Sequence, residues 1–344
     1  MSHPTGTIPT TSEPPFTRVE VHHEYGTLKE VMVGSQPRDT FTTVPYESSF
    51  DSWMKPRLAR LCKEHPGKRV LDVDPAWAIA VEEQLENLAR MLEARGVKVH
   101  RGCRLEGEDV HFSNPAGGWS TWFVRDPTLV IGNNIIETAP RDSWRFRERF
   151  AVRPTIKRIM ENTNARWVAM PFPSPRQSPD DPRLEGGDVL LNGREIYVGV
   201  IKGGEAWATT PNGIRWLQHY LGREYRVFQF NSRAPHLDGV LALLHPGLAL
   251  CCLESEIELQ GAVRDWELID VTLEEARNLG CNCLILDQQT VMMDTRPIER
   301  VAKEVEKRGI EVIHIDFDAI TDTVGGLRCS THPIYRESKL EGSA

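Results

Sequence analysis

The chain has 344 residues, 40% of them hydrophobic and 26% charged, with a formal net charge of −8. This is the composition of a globular protein with a sizeable core; the negative balance disfavours nucleic acid or an anionic membrane as partner, and no run nears the ~18 apolar residues that span a bilayer. A small-molecule ligand is the partner these bounds leave.

Residues 1–17, "MSHPTGTIPTTSEPPFT", lack the basic and apolar regions of a signal peptide and read as a flexible tail. One domain is expected over 18–344, because no later shift of composition marks a boundary. "LKEVMVG" (28–34) is a predicted strand. "VEEQLENLARMLEARGVKVHR" (81–101) has apolar residues at helical spacing, a basic last turn, a Gly stop and then alternating apolar residues, so a helix runs into a strand. The same grammar returns at 155–171, 213–230, 272–287 and 298–316, which makes five units. Between them, 128–137, 189–200, 241–252 and 283–294 each read as two short strands joined by a tight turn. Five strand–strand–helix–strand modules close most economically into a ring, which buries the sheet edges and leaves a central channel. The wetter stretches 47–70 and 173–183 are expected to be loops over that channel.

Seven cysteines, at 62, 103, 251, 252, 281, 283 and 329, form an odd set without framework spacing, which fits reduced thiols in a cytoplasm. Cys281 and Cys283 share one strand face and are expected to fill core, since no second pair or His cluster completes a metal site. By residue type alone Cys329 is another packing cysteine. Its company argues otherwise. Polar residues stand at matching points of successive modules: Asp126 in "WFVRDP", Glu185 and Asp188 in "LEGGDVLL", His236 and Asp238 in "PHLDGVLALL", Cys329 in "GGLRCSTH". Each motif alone has an ordinary reading as a turn or a capped core histidine. Together they offer a thiol, an imidazole and four carboxylates, with no metal motif, and neither a metal nor a cofactor is expected.

Chemistry can use that set in a definite way. A Cys329 thiolate is a nucleophile, His236 an acid and base, Glu185 the group that orients His236, and the Gly-Gly pair before Cys329 lets backbone approach a substrate closely. Asp126 and Asp238 suit a guanidinium, whose planar fork of donors carboxylates meet bidentately. Attack of Cys329 on an amidine carbon then expels an amine and leaves an amidino-thioester, which either an amine or water removes.

In "HHEYGTLKEVMVGS", "GNNIIETAPRDSWRFRERF", "RWVAMPFPS", "HLDGVLALLHPGLAL" and "GGLRCSTH" the chain resembles the amidinotransferases, within the guanidine-modifying superfamily that includes arginine deiminase. The resemblance implies a five-bladed α/β propeller with its active site on the pseudo-symmetry axis, and usually a homodimer. It places guanidinium-binding aspartates at Asp126 and Asp238, the general acid/base at His236, its carboxylate partner at Glu185 and the nucleophile at Cys329. Asp188 becomes a secondary ligand for the guanidinium or the nearby backbone. A donor-holding arginine falls in "WRFR", with Arg147 preferred to Arg145. Two positions depart from the amidinotransferase pattern. Ser255 stands where those enzymes carry an arginine for the donor's α-carboxylate, which leaves Arg233, another basic residue, or a donor other than free arginine. Arg328 and the E-G-G-D form around Glu185 are deiminase-like. Of the indole side chains, Trp53, Trp119, Trp122 and Trp144 are candidates to wall a dry pocket or to fill core and interface.

Three functions are therefore distinguishable. The first is transfer of the amidino group of arginine to an amine acceptor, releasing ornithine, in a small-molecule or natural-product pathway. The second is hydrolysis of the same intermediate to a ureido product. The third, which these side chains disfavour, is a non-catalytic guanidine-binding scaffold.

Overall fold

A computed structural model describes residues 14–43, 53–104, 121–142, 145–146, 148–172, 178, 180–203 and 209–338. The fold is mixed α/β. In chain order, β1 (Thr27–Val33) leads through α1 (Pro56–Glu64), α2 (Val70–Val73) and α3 (Pro75–Glu93) to β2 (Lys98–Arg101). There follow β3 (Thr128–Ile131), β4 (Asn134–Glu137), α4 (Glu148–Met160) and β5 (Arg166–Ala169), then β6 (Val189–Asn192), β7 (Glu195–Ile201), α5 (Pro211–Leu221) and β8 (Arg226–Ser232). Next come β9 (Leu241–His245), β10 (Leu248–Cys251), β11 (Glu267–Asp270) and α6 (Leu273–Arg277). The chain ends with β12 (Leu284–Asp287), β13 (Thr290–Met293), α7 (Glu299–Glu306), β14 (Glu311–His314), α8 (Asp318–Thr321) and β15 (Thr331–Glu337).

The described strands form five separate three-stranded sheets. Four repeat one pattern, in which a hairpin pairs antiparallel and a third strand returns to lie parallel to the hairpin's second strand, as where β4 pairs with β3 and then β5. The fifth sheet joins the two ends of the chain: β15 runs antiparallel to β1 with Met32 opposite His332, and β2 runs parallel to β1. β1 is therefore the middle strand of its sheet, and the chain's last strand supplies the hairpin partner.

The sequence accounts for these elements locally. Asp74 accepts the amide of Trp77 at 3.2 Å and Pro75 opens α3, a capped start with a proline where no N–H is needed. Trp77, Val81, Leu85, Leu88 and Leu92 then repeat at three or four residues, all fully buried. Removing such side chains from water stabilises by about 1.5–3 kcal/mol each. α5 starts the same way, with Thr210 accepting from Gly213 and Pro211 in its first turn.

Some expectations change. α4 begins at Glu148, upstream of the predicted start, and carries Pro154 inside it because Ala151, Val152 and Ile156 bury one face. The segment 272–287 is not a module of the same kind: α6 links two sheets, and β12 opens the next one. The missed strand is β11, whose "ELID" is short and polar at both ends; only 3-10 turns at Leu253–Ser255 and Gly261–Asp265 precede it, without the period of an α-helix. Within 47–70, α1 replaces the expected loop and buries Leu58, Leu61 and Cys62, while 44–52 lie outside the described residues, as do 173–177 and 179 in the second stretch. At the amino-terminal end the Pro14 carbonyl accepts from Asn162 Nδ2 at 2.8 Å, and Thr17, already buried, donates its amide to the Asn162 carbonyl, so the last residues of the expected tail are attached. No helix among the described residues is long and apolar enough to cross a membrane.

Candidate active site

The polar residues singled out in the sequence sit on the turns that enter the first strand of each hairpin. Asp126 precedes β3, Glu185 and Asp188 flank a 3-10 turn before β6, His236 and Asp238 belong to another before β9, and Cys329 precedes β15. These turns are stitched to one another. The amide of Arg125 donates to the carbonyl of Cys329 at 3.1 Å, and the amide of Gly187 to Asp126 Oδ1 at 2.8 Å. The amide of Leu237 donates to Asp188 Oδ1 at 3.0 Å, and Asp238 Oδ2 returns to Cys329, accepting from Sγ at 3.6 Å. Gly187 is required here: a Cβ on it would stand 2.5 Å from His236 Nδ1 and 2.9 Å from Asp126 Oδ1.

Two charged groupings face each other. In the first, His236 Nε2 lies 3.0 Å from Glu185 Oε2 and its Nδ1 3.9 Å from Asp126 Oδ1. Arg145 joins the same carboxylates, donating from Nη1 to Glu185 Oε2 at 2.5 Å and from Nη2 to Asp126 Oδ2 at 2.7 Å, and it grips Glu148 with both sides of its fork. In the second, Arg328 donates to both oxygens of Glu24, at 3.1 and 3.0 Å, and to Asp238 Oδ2 at 2.9 Å.

The electrostatics follow from burial and these partners. Burial opposes charge on His236, but Asp126, Asp188 and Glu185 outweigh it and hold the imidazole's pKa well above its usual value, so it rests as imidazolium. Glu185, although buried, is held down to about 2 by Arg145 and His236. Burial pushes Asp188 up to about 7, against the pull of His236 and a hydrogen bond from Thr209. Burial raises Cys329 well above the ordinary thiol value, with Asp238 and Asp126 adding to it, so the resting sulfur is a thiol. Of this set His236 is the open door, with a fifth (20%) of its side chain exposed, whereas Asp126, Glu185, Asp238 and Cys329 are at most 5% exposed.

The structure thus brings together Cys329, His236, Glu185, Asp126, Asp188, Asp238 and Arg145. Arg147, Trp119 and Trp144 lie outside the described residues. Trp53 and Trp122 are buried in apolar clusters as packing residues, and Cys281 and Cys283 lie in the core. The glycines before Cys329 serve the chain itself: a Cβ on Gly325 would meet the Phe123 ring at 2.2 Å, and one on Gly326 the Asn282 side chain at 2.8 Å. Ser255 is buried and spends its hydroxyl on the Cys252 carbonyl at 2.7 Å, and the exposed Arg233 pairs with Glu256 at 2.6 Å.

Sequence reasoning missed Glu24, the partner of Arg328, and Asn282, which reaches the nucleophile candidate: its Nδ2 donates to Cys329 Sγ at 3.1 Å. A signal for Asn282 existed, because it stands two residues before its strand, as Asp126 and Cys329 do before theirs. Asp126, Glu185 and His236 are also spaced as a metal could use them. Arg145 sits on both carboxylates in that group, so the cation they hold is a guanidinium of the chain itself.

A buried thiol, an imidazolium backed by a carboxylate and a pair of aspartates dressed with guanidinium groups are the groups that covalent chemistry on a guanidine can use. The arginine deiminase family model matches residues 264–336. L-arginine:L-lysine amidinotransferase of Pseudomonas savastanoi pv. phaseolicola is 26% identical over 92% of this chain and 94% of its own length. Among solved structures, SxtG, an amidinotransferase of the saxitoxin biosynthetic pathway from Microseira wollei, superposes with a TM-score of 0.77 at 24% identity over 94% of this chain and 99% of its own. Inosamine-phosphate amidinotransferase StrB1 from Streptomyces griseus gives 0.74 at 22% identity over 94% and 98%. The resemblance read from the sequence, to amidinotransferases of the arginine deiminase-like superfamily, holds over almost the whole chain.

Proposed function

We propose that this chain is an amidinotransferase that moves the amidino group of L-arginine through a covalent intermediate on Cys329 to an amine acceptor, releasing ornithine. The observation that carries this reading is the placement of the Cys329 thiol against Asp238, 3.6 Å away, with the His236–Glu185 pair beside Asp126, whose neighbour Arg125 bonds through its amide to the Cys329 carbonyl. The sulfur gives its proton to Asp238 and bonds to the amidine carbon of the donor, whose C=N electron pair moves onto nitrogen. The tetrahedral adduct collapses with the C–N bond to the δ-nitrogen broken, and His236 protonates the departing amine. His236, now neutral, takes a proton from the acceptor amine as its nitrogen attacks the amidino-thioester. The S–C bond breaks and the sulfur recovers its proton from Asp238. Glu185 holds the imidazole in place and stabilises its charge.

Asp126, Asp238 and Asp188 bind or flank the donor guanidinium in this scheme. Arg145 fixes Asp126 through its Oδ2 and Arg328 fixes Asp238 through the oxygen that faces the sulfur, and Arg147 stays a candidate donor-holding residue. The five sheets are read as blades of one α/β propeller around a central channel in a single domain over 18–344, which the turn-to-turn hydrogen bonds support. The enzyme is read as cytoplasmic from its odd set of seven cysteines and, as the resemblance implies, as a homodimer, and the biosynthetic pathway in the name of SxtG supports a natural-product pathway.

Hydrolysis is the second reading, favoured by the deiminase family match over 264–336 and by Arg328 before the cysteine. Incubation with guanidino-labelled arginine, with and without a pool of amines, decides between them. Ornithine formed only with an amine, together with an amidinated acceptor, is the expected result. Citrulline formed without any amine overturns transfer in favour of hydrolysis.

A further inference from the structure

The carboxamide of Asn282 has one orientation that satisfies its neighbours. Its Oδ1 accepts the backbone amides of Arg328 at 3.1 Å and Cys329 at 3.3 Å, so the amide oxygen is fixed toward those donors and the NH2 group faces Cys329 Sγ at 3.1 Å. The side chain is 3% exposed and lies against Gly326, where a Cβ would stand 2.8 Å from Oδ1. The loops that hold the pair are costly ones: Leu279 at φ 62° and Val324 at φ 69° are both left-handed without being glycine.

We propose that Asn282 is a catalytic residue of this site, clamping the backbone of Cys329 with its carbonyl oxygen while its NH2 stabilises the sulfur as its negative charge develops. This rests on the reading of Cys329 as nucleophile. The physical basis is a difference between states. A thiol sulfur is a weak acceptor, so the bond contributes little at rest, whereas a thiolate turns it into a charge-assisted bond inside a site that excludes water. Burial, Asp238 and Asp126 all disfavour a thiolate at this sulfur; a backbone hydrogen bond involving Gly326 favours it, and Asn282 is the side chain that does so as well. Asn282 is thus the side chain that makes thiolate formation feasible beside two carboxylates.

The test is the pH dependence of Cys329 alkylation by iodoacetamide in the intact protein, read peptide by peptide by mass spectrometry, for wild type, Asn282→Ser and the isosteric Asn282→Asp. In Asn282→Asp a carboxylate oxygen replaces the donor without a change of shape, and the alkylation rate of Cys329 at neutral pH is expected to fall by about 100-fold. Asn282→Ser, a shorter donor, is expected to fall by about tenfold. Amidino transfer should fall in the same order with little change in KM. Alkylation of both variants at the wild-type rate across the pH range overturns the proposal, as does a change shared equally by the other cysteines, which marks an effect on the whole fold and not on the clamp. Alkylation needs no donor or acceptor, so it reads the clamp even if the transfer assay fails and the functional reading falls with it.

Discussion

Arg328 Nη1 lies 2.9 Å from Asp238 Oδ2, the same oxygen that faces the Cys329 sulfur at 3.6 Å. The residue before the nucleophile candidate thus neutralises the carboxylate beside it, and the same guanidinium also donates to Glu24 and to the carbonyls of Val189 and Gly186. Without Arg328, Asp238 and Glu24 lose the guanidinium they share in the interior, leaving Arg125 and Arg336 as the cations acting on Glu24.

Stability should register this directly. Arg328→Met removes one partner of a buried pair, a change that typically costs about 3–5 kcal/mol. Equilibrium urea unfolding is expected to show a midpoint lowered accordingly, and Arg328→Met/Glu24→Gln should regain part of the loss. A single variant as stable as wild type would mean that solvent reaches Glu24.

Covalent chemistry assigned to Cys329 predicts an isolable adduct. Rapid acid quench of the protein with arginine and no acceptor should yield a Cys329 peptide heavier by one amidino group. Cys329→Ala should lack the adduct and lose roughly 1000-fold or more in turnover. Retained turnover in that variant would remove the mechanism.

The His236–Glu185 contact at 3.0 Å sets an acid's working range. Burial alone lowers the imidazole's pKa; the carboxylates raise it. In Glu185→Gln the imidazolium therefore loses its proton at lower pH, and the alkaline limb of the kcat/KM profile should move to lower pH, with about a tenfold loss at its former optimum. An unmoved limb would show that another group titrates there.

Asp188 supplies a pH dependence of stability with a sign opposite to that of an ion-paired carboxylate. Its folded pKa is raised from 3.8 to about 7 by burial. Between those values the folded state holds a proton that the unfolded chain has lost, so this group's contribution to stability falls as pH rises through the window. Asp188→Asn abolishes that slope. Wild type minus variant, measured by denaturant unfolding, should therefore decline by a few kcal/mol between about pH 4 and pH 7 and be flat below it.

The hairpins were legible because turn residues punctuate short apolar runs, as in 128–137 and 189–200, and helices such as α3 because their apolar residues keep a period near 3.6 over many turns. Cys329, His236, Glu185 and the aspartates were legible as well, since each stands at a repeated place relative to a strand. β11 was not, because four residues bounded by Glu267 and Asp270 carry too little pattern to stand out from a loop. The closure of β15 onto β1 was not legible either, since strand pairing across the whole chain leaves no local mark. The sequence by itself determined the modules and most of the side chains that meet at the candidate site. Only the tertiary structure decided how they are charged: that Arg145 and Arg328 occupy Asp126 and Asp238, that Glu24 pairs with Arg328, and that Asn282 touches the Cys329 sulfur. The reason is physical. Residue type fixes what a group can donate or accept, but pKa and reactivity depend on burial and on partners that come from turns up to 304 positions apart.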